Sequence, residues 1–224
     1  QRSIGNELYK RASLMKLYPL KVGIIDIGIG NLGSIKNMLK RLGVNAELLA
    51  NPKKLSELDK IVLPGVGHFD HGMNALVKSG FKEALDEAVK LHCKPVLGVC
   101  LGAQMLGNGS EEGNAAGLGY IDMECTKFVL EDLPVPHMGW NALNFGDNKE
   151  HESVFIREQE SRFYFVHSYR MKCNKPSNSL ATTNYGGFEF TSLVGEKSVY
   201  GAQFHPEKSL KFGKEFLRGF VEYV

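Results

Sequence analysis

The first half of the chain alternates short apolar segments with segments of helical periodicity. The apolar segments are residues 21–28, 46–50, 60–67 and 94–99, all of strand length. Residues 31–43 place leucine and isoleucine at helical spacing, and residues 74–92 predict a second helix that is interrupted near Gly80. This alternation predicts an α/β fold in which right-handed crossovers connect the strands of a mostly parallel central sheet flanked by helices.

The second half has a different pattern, with short β-like segments separated by asparagine, glycine and proline. These segments are residues 123–130, 162–169, 179–186, 188–194 and 198–205. An amphipathic helix follows at residues 212–224. Because no repeat or linker divides the chain, we predict one domain over residues 21–224, with a mixed sheet and an added β-rich C-terminal half.

Residues 1–20 differ from the rest of the chain in being mostly polar and charged. Met15 lies inside this stretch and could be a natural start, so we interpret residues 1–14 as an addition foreign to the native chain. The alternative is a natural N-terminal arm. In either case we expect residues 1–20 to lie outside the folded domain.

Composition and charge exclude several classes of protein. The net charge of +2 gives no reason to expect binding to nucleic acid or to an anionic membrane. No apolar run approaches the roughly 20 residues that cross a bilayer, and no signal peptide opens the chain. The cysteines, Cys93, Cys100, Cys125 and Cys173, form no C-x-x-C pair. This usage is typical of a reduced, cytoplasmic protein and predicts neither disulfides nor a metal site.

The turn after the first predicted strand matches the dinucleotide-binding pattern G-x-G-x-x-G at Gly28, Gly30 and Gly33. A dinucleotide site also needs an acidic residue about 20 positions later. Glu47 is the candidate, but it begins the run E-L-L-A instead of closing a strand. We therefore favour a tight strand-to-helix turn and keep a dinucleotide-binding module as an alternative function.

The pentapeptide G-V-C-L-G places Cys100 between Gly98 and Gly102 at the spacing of a nucleophile elbow. A nucleophile at the end of a strand needs a cramped reversal of the chain, where flanking side chains would collide. The following residues can begin a helix, whose N-terminus would favour the thiolate. The backbone N–H of Leu101 could then face a developing oxyanion, and Gln104 lies one turn later on the same side. The alternative is a buried, inert cysteine.

His205 is the candidate base for such a nucleophile. It follows an apolar segment, and Glu207 lies two residues later. Residues i and i+2 of an extended chain project from the same face, so the Glu207 carboxylate can reach the His205 ring. Pro206 restricts the backbone between them. A carboxylate-oriented imidazole is half of a catalytic triad, and the alternative is a surface turn that contains both residues.

With Cys100, His205 and Glu207 identified, the chain resembles a class I glutamine amidotransferase. More narrowly, it is similar to the glutaminase subunit of imidazole glycerol phosphate synthase from histidine biosynthesis. The resemblance covers residues 22–224 and rests, in chain order, on the stretches IGIGNLGS, LPGVGHFDHGM, GVCLGAQML, SEEG, GLG, VPHMGWN, YFVHSY and QFHPEKS. It implies the flavodoxin-like fold of the class I glutamine amidotransferases.

The resemblance implies a catalytic triad for glutamine hydrolysis. Cys100 would attack the side-chain amide carbon of L-glutamine, release ammonia and form a glutamyl thioester. His205 would transfer protons and activate the hydrolytic water, with Glu207 orienting its ring. No cofactor is implied.

The oxyanion hole and the substrate pocket are implied in the same way. The oxyanion hole would use the backbone N–H of Leu101 and another from the P-G-V-G loop, around Val66 and Gly67. The residues that would bind glutamine are Gly65, Gly67, Gln104, Glu112, His167, Ser168 and Tyr169. A carboxylate such as Glu112 suits the ammonium group of a free amino acid, and the alternative for Glu112 is a solvated loop charge.

In the family a further group of residues faces a partner enzyme. In this chain they are Gly30, Asn31, Pro136, His137, Met138, Gly139, Trp140 and Lys208. The partner would be a (β/α)8-barrel synthase subunit that receives ammonia through a tunnel within a heterodimer, and the isolated glutaminase of this family is usually weakly active. On this hypothesis the turn at Gly30 is a docking surface that needs no nucleotide. The alternative for the loop around Trp140 is a tight turn with a packed tryptophan.

Some features leave the acceptor of the ammonia open. Ala103 stands where methionine is expected and Ala202 where a larger apolar residue is usual; neither carries a catalytic group, so these two departures bear on packing. The stretches RFYFVHSY and EFTS and the C-terminal helix also resemble a paralogous branch that serves surface-glycan biosynthesis with a sugar amidotransferase. The sequence therefore predicts a glutaminase of histidine biosynthesis, with the glycan pathway as the alternative.

Overall fold

The structure is a computed structural model that describes residues 20–130, 133–156 and 161–224. The segment expected to lie outside the fold, residues 1–20, falls outside the described residues except for Leu20. Within the described ranges, no helix is long and apolar enough to cross a membrane.

The first half of the chain alternates strands and helices, as its sequence predicted. The elements are β1 (Val22–Ile25), α1 (Leu32–Arg41), β2 (Ala46–Leu49), β3 (Lys60–Gly65), α2 (Phe69–Ser79), α3 (Phe81–Asp86), β4 (Val96–Cys100) and α4 (Leu101–Met105). The second helical segment begins earlier than predicted because the His68 side chain caps α2 by accepting a hydrogen bond from the backbone N–H of Asp70. It is interrupted at Gly80, whose φ of 76° only glycine adopts readily.

The second half is rich in strands. Its elements are β5 (Gly109–Ser110), β6 (Met123–Lys127), β7 (His137–Ala142), α5 (Lys149–Phe155), β8 (Arg162–His167), β9 (Tyr169–Cys173), β10 (Ser179–Tyr185), β11 (Phe188–Glu196), β12 (Val199–Ala202) and α6 (Leu210–Tyr223). Strand β7 and helix α5 were not predicted from the sequence.

Among the described residues, ten strands form one sheet in the order β2-β1-β3-β4-β12-β11-β9-β6-β5, with β10 paired to β11. Neighbouring strands from β2 to β12 are parallel, and those from β12 to β6 are antiparallel. Strands β7 and β8 form a separate antiparallel pair. The predicted fold class, with its mostly parallel central sheet and β-rich C-terminal half, is confirmed.

Two apolar clusters cover the two faces of the central strands. Neighbouring residues of one strand belong to opposite clusters, as Ile24 and Ile25 do in β1 and as Val62 and Leu63 do in β3. The first cluster takes in α1 and α6, and the second takes in α2 and α3. Helices therefore cover both faces, which is why these strands are apolar without alternation.

A buried lysine connects the last helix to the sheet. Lys60, at the start of β3, is 7 % exposed, and its Nζ donates hydrogen bonds to the carbonyl oxygens of Phe220 (2.9 Å), Val221 (2.7 Å) and Val224 (2.7 Å). Carbonyl groups at the end of a helix lack intrahelical partners and carry the negative end of the helix dipole. The ammonium group therefore stabilises the end of α6 against β3.

The carboxyl ends of three adjacent parallel strands meet at one edge of the sheet. Gly65 of β3 is paired with Cys100 of β4, and Val99 of β4 is paired with Ala202 of β12. The residues that follow these strands therefore lie side by side, and His205 is among them. Open parallel sheets bind ligands in the crevice at this edge.

Candidate active site

Cys100 is the last residue of β4 and directly precedes α4. Its backbone has φ 54° and ψ −111°, a conformation that residues other than glycine rarely adopt. The residue is 7 % exposed and lines a pocket. The structure therefore places Cys100 at a strained strand-to-helix turn, the geometry that lifts a nucleophile out of a sheet.

The glycines around Cys100 occupy positions without room for a side chain. A Cβ at Gly98 would lie 2.6 Å from the carbonyl oxygen of Gly102, and a Cβ at Gly102 would collide with the carbonyl oxygen of Leu63. A Cβ at Gly65 would lie 2.8 Å from the backbone nitrogen of Gly102. Helix α4 thus packs on the backbone of β3, which brings the P-G-V-G loop beside Cys100.

His205 and Glu207 contact each other on the turn that follows β12. Nδ1 of His205 and Oε1 of Glu207 are 2.8 Å apart, and each side chain is 2 % exposed. The backbone N–H of His205 donates to the Tyr164 carbonyl at 2.8 Å, and its carbonyl accepts from Ser209 Oγ at 2.6 Å. Ser209 Oγ also accepts a hydrogen bond from the Tyr164 backbone N–H. Ser209 therefore fixes the position of His205, a role that the sequence did not reveal.

The surroundings of His205 favour its protonated form. Burial alone would lower the pKa of the imidazole, but the Cys100 and Glu207 side chains together raise the pKa of His205 to about 9. Nε2 of His205 is buried and makes no hydrogen bond of ordinary geometry with the described residues. Because Nδ1 is bound to Glu207, Nε2 is the nitrogen that remains for proton transfer in the pocket.

Cys100 and His205 share a pocket of about 570 Å³, a volume that accommodates a small molecule. The residues that line it are Val66, Gly67, Cys100, Leu101, Gln104, Glu112, Pro136, Val166, His167, Ser168, Tyr169, His205 and Lys208. The structure thus brings together the residues expected around a glutamine substrate. Among these, Gly65 does not line the pocket but packs behind it against α4.

Gln104 and His167 hold the backbone of Tyr169 at the pocket. Nε2 of Gln104 donates to the Tyr169 carbonyl at 3.1 Å and to Oε1 of Gln203 at 3.2 Å. Nδ1 of His167 lies 2.8 Å from the same Tyr169 carbonyl. The chain over residues 167–169 is therefore fixed by side chains from two different elements.

Glu112 reaches the pocket from the loop after β5. Its Oε2 accepts a hydrogen bond from the backbone N–H of Phe69 at 2.8 Å, so a second carboxylate oxygen remains for a ligand. Asp70 accepts hydrogen bonds from the backbone N–H groups of Asn114 (3.0 Å) and Ala115 (2.9 Å). These contacts fasten the Glu112 loop to the start of α2. The part that Asp70 plays could not be predicted from the sequence, because its partners lie far along the chain.

The residues expected to face a partner are divided between the surface and the interior. Met138 and Trp140 of β7 are 60 % and 43 % exposed, so Trp140 is not a packed core residue. Nζ of Lys208 lies 5.6 Å from the centre of the Tyr164 ring. His137 is 2 % exposed, so its side chain is not available to a partner.

The remaining residues of that group lie on the turn that precedes α1 and around the start of β7. Asn31 is exposed, and a Cβ at Gly30 would lie 3.3 Å from Cβ of Pro64, so their turn packs beside the P-G-V-G loop. Pro136 lines the pocket, and Gly139 of β7 has a φ of 140°. Both segments thus border the crevice that contains Cys100.

The turn at Gly28, Gly30 and Gly33 lacks the contacts of a dinucleotide site. A Cβ at Gly33 would meet none of the described atoms within 4 Å, whereas the third glycine of that pattern serves close helix–strand packing. Glu47 is a half-exposed residue of β2 whose Oε1 lies 2.6 Å from Nζ of Lys54. The geometry therefore favours the strand-to-helix turn over the dinucleotide-binding alternative.

Comparisons with known proteins show the family to which the chain belongs. Residues 23–223 match the family described as "Glutamine amidotransferase class-I". The chain is 48 % identical over 202 residues to "Imidazole glycerol phosphate synthase subunit HisH 2" from Pseudomonas aeruginosa, and 45 % identical over 202 residues to the protein of the same name from Methanococcus maripaludis. Each match covers 90 % of this chain and 98 % of the relative.

Solved structures show the same fold. A crystal structure described as that of a glutamine amidotransferase has a TM-score of 0.67 at 21 % identity and covers 90 % of this chain and 97 % of its own. A structure of PurLQS from Thermotoga maritima has a TM-score of 0.67 at 16 % identity, with coverage of 92 % and 99 %. From the family match and the identity to its relatives, the chain belongs to the class-I glutamine amidotransferase family, as its resemblance predicted.

Proposed function

We propose that the protein is a glutaminase that hydrolyses L-glutamine to L-glutamate and ammonia, with Cys100, His205 and Glu207 as its catalytic triad. The observation that carries the proposal is the position of Cys100 at a strained turn, in one pocket with an imidazole bound to a buried carboxylate. This arrangement supplies a nucleophile, a base and a group that orients the base.

In the first step the Cys100 thiolate attacks the side-chain amide carbon of glutamine, and the carbonyl π electrons move onto the oxygen. The His205 imidazolium then donates its Nε2 proton to the amide nitrogen. The C–N bond breaks, ammonia leaves, and a glutamyl thioester remains on Cys100. The raised pKa of His205 supports this step, because the proton is present at neutral pH.

In the second step neutral His205 removes a proton from water as the water oxygen adds to the thioester carbon. The C–S bond then breaks as the carbonyl re-forms, the γ-carboxylic acid loses its proton to solvent and leaves as glutamate, and the Cys100 thiolate and the His205 imidazolium are restored. Glu207 keeps the proton of His205 Nδ1 in place by accepting its hydrogen bond, so that Nε2 faces the reacting atoms in both steps.

The oxyanion of both tetrahedral intermediates is stabilised by backbone N–H groups of Leu101 and of the P-G-V-G loop at Val66 and Gly67. The pairing of Gly65 with Cys100 supports this assignment, because it sets the loop beside the nucleophile. One such donor contributes on the order of 10²- to 10³-fold to the rate in other hydrolases.

Glutamine itself is held by its charged end. The Glu112 carboxylate pairs with the substrate ammonium group, and Gly67, Gln104 and the backbone of residues 167–169 complete the pocket. The support for this assignment is that all of these residues line the same cavity as Cys100.

The ammonia passes to a synthase partner, a (β/α)8-barrel subunit that docks beside the pocket as the second member of a heterodimer. Two relatives of this chain are named as subunits of imidazole glycerol phosphate synthase. The exposed Met138 and Trp140 offer an apolar surface of the kind found in interfaces. Since ammonia released into water is protonated and lost to an acceptor, delivery through a bound partner is chemically reasonable.

The acceptor that we propose is the precursor of imidazole glycerol phosphate in histidine biosynthesis, which the names of both relatives support. A sugar of surface-glycan assembly is the alternative. Complementation distinguishes them: the chain restores growth without histidine to a strain that lacks its own HisH. A sugar amidotransferase that incorporates ¹⁵N from amide-labelled glutamine only in the presence of this chain would instead establish the alternative.

The glutaminase activity is tested first on the protein alone and then with the partner subunit, by measuring glutamate formed from glutamine. A glutamine-analogue electrophile reports on the triad even if turnover of the isolated chain is slow, because it needs only the first attack. Absence of glutamate formation with the partner, together with absence of labelling at Cys100, would contradict the proposal.

A further inference from the structure

Two buried histidines form a chain of hydrogen bonds that ends at the glutamine pocket. Nδ1 of His137 and Nε2 of His167 are 3.1 Å apart, and Nδ1 of His167 lies 2.8 Å from the carbonyl oxygen of Tyr169. His137 and His167 are 2 % and 6 % exposed. The triad does not use either imidazole, so the pair calls for a separate explanation.

The direction of these hydrogen bonds follows from the carbonyl at their end. A carbonyl oxygen can only accept, so Nδ1 of His167 carries a proton and donates it to Tyr169. In a neutral ring Nε2 of His167 is then the acceptor, and the proton in the first bond belongs to Nδ1 of His137. Both N–H donors therefore point toward the Tyr169 carbonyl.

The surroundings keep both rings neutral. The pKa of His167 is lowered to about 3, chiefly by burial; the hydrogen bond to the Tyr169 carbonyl acts in the opposite direction, and the nearby His137 and His205 contribute to the lowering. Burial lowers the pKa of His137 to about 4. Because a neutral imidazole has one donor nitrogen and one acceptor nitrogen, each of the two hydrogen bonds then has only one possible direction.

The packing around His137 is that of an apolar side chain. Its ring stacks on Phe165 with centroids 4.9 Å apart and lies 4.2 Å from the centroid of the Tyr185 ring. Phe190 contacts both histidines, at 5.5 Å from His137 and 5.2 Å from His167. A leucine or phenylalanine would suit such an aromatic cluster without the desolvation cost of an imidazole, so the polar group has a purpose other than packing.

The Tyr169 carbonyl is the point at which these hydrogen bonds reach the pocket. It also accepts the hydrogen bond from Nε2 of Gln104, whose helix begins immediately after Cys100. His167, Ser168 and Tyr169 all line the cavity. A shift of this carbonyl would thus displace both the substrate-binding backbone and Gln104.

We infer that His137 and His167 are positioning residues that hold the Tyr169 carbonyl, and with it the backbone of residues 167–169, in the geometry that binds glutamine. The inference rests on the proposed glutaminase function. Neither imidazole touches the reacting atoms. The pair therefore affects the affinity for glutamine and not the rate of the chemical steps, which the triad carries out.

The same pair connects the pocket to an exposed strand. His137 is the first residue of β7, whose Met138 and Trp140 face outward. Met138 is paired in register with Val166, which lines the cavity.

The test compares His137→Leu with His137→Asn in glutamine hydrolysis. Leucine fills the apolar site but cannot donate, whereas the side-chain amide nitrogen of asparagine can occupy the place of Nδ1 and donate to His167. We expect His137→Leu to raise KM for glutamine about tenfold or more with kcat changed by less than about threefold. We expect His137→Asn to restore most of the lost affinity. The dissociation constant of glutamine, measured calorimetrically in a Cys100→Ala background, should change in the same way.

The outcomes separate this inference from the proposed function. An unchanged KM in a folded His137→Leu protein, or an equal loss in both variants, overturns the positioning role while wild-type hydrolysis stands. Absence of hydrolysis and of glutamine binding in the wild type, with its partner present, overturns the proposed function. If His137→Leu does not fold, ¹⁵N NMR of histidine-labelled wild type decides between the outcomes. A His167 ring that is protonated at Nδ1 alone supports the proposed hydrogen bonds, and any other protonation pattern overturns them.

Discussion

Nδ1 of His205 and Oε1 of Glu207 are 2.8 Å apart in a setting where both side chains are 2 % exposed. An imidazole so buried would ordinarily be neutral near pH 7, because desolvation disfavours its charged form. The Cys100 side chain, together with the contact to Glu207, reverses that preference and raises the pKa of His205 to about 9.

Glu207→Gln should therefore move the alkaline limit of glutamine hydrolysis to lower pH. The neutral amide removes a charge that raises the pKa of His205, so the imidazolium that protonates the leaving ammonia is lost earlier as the pH increases. The measurement is the pH profile of kcat/KM for both proteins, with kcat at neutral pH expected to fall about tenfold or more. The substrate ammonium titrates identically in both profiles, so the difference isolates His205. If kcat/KM of the two proteins declined at the same alkaline pH, Glu207 would not be raising the pKa of His205.

Replacing Cys100 should abolish activity without disturbing the fold. Cys100→Ala is expected to lower kcat on the order of 10³-fold or more, since no other group can form the thioester. A glutamine-analogue electrophile should label the peptide that contains Cys100 in the wild type. Cys93 is exposed and lies outside the pocket, so Cys93→Ser is the matched control and should keep both labelling and turnover. Labelling spread evenly over the cysteines would exclude Cys100 as the selective nucleophile.

Two glycine-to-alanine changes should affect stability in opposite directions. Gly102→Ala sets a Cβ against the Leu63 carbonyl in rigid backbone, and we expect it to lower the free energy of unfolding by about 3 kcal/mol. Gly33→Ala lies in α1, where a Cβ would meet none of the described atoms within 4 Å, and should raise the free energy of unfolding by up to about 1 kcal/mol. Urea denaturation of both variants measures these effects. A stable Gly102→Ala protein would mean that α4 does not pack directly on β3.

Glu112→Gln should weaken glutamine binding much more than it slows the chemistry. The change removes the negative charge proposed to face the substrate ammonium while keeping an oxygen for the Phe69 N–H, so KM should rise roughly 10- to 100-fold with kcat nearly unchanged. Glu111→Gln is the matched control, since Glu111 instead accepts the backbone N–H of Lys127 and does not line the cavity. Equal values of KM in the two variants would remove Glu112 from the substrate site.

The parts of the fold that could be predicted from sequence are those determined by local patterns. The strands β1, β3 and β4 carry largely apolar runs, and the glycines around Cys100 mark its turn. The pair His205 and Glu207 could be linked because i and i+2 residues share a face in extended chain. In each case the signal lies within a few residues of the feature that it predicts.

The parts that could not be predicted depend on contacts between distant segments. The sequence of β7 predicts a loop, because Met138 and Trp140, which are exposed, and the glycine between them break the usual polar–apolar alternation. Helix α5 is polar over most of its length and buries Phe155 at its end, so its sequence has little helical periodicity. Ser209, Asp70 and the imidazoles of His137 and His167 have roles only through hydrogen bonds that the fold creates.

The pairing of β3, β4 and β12 also determines which changes of chain length the protein can accept. One residue inserted within β4 would displace Cys100 by about 3.3 Å along the sheet and turn the inserted segment's side chains to the opposite face. The same insertion in the turn between β10 and β11 would leave the register of β3, β4 and β12 unchanged. Natural length variation and tolerated insertions should therefore concentrate in the antiparallel half of the molecule, while the three parallel strands that carry the Cys100 edge keep a constant length.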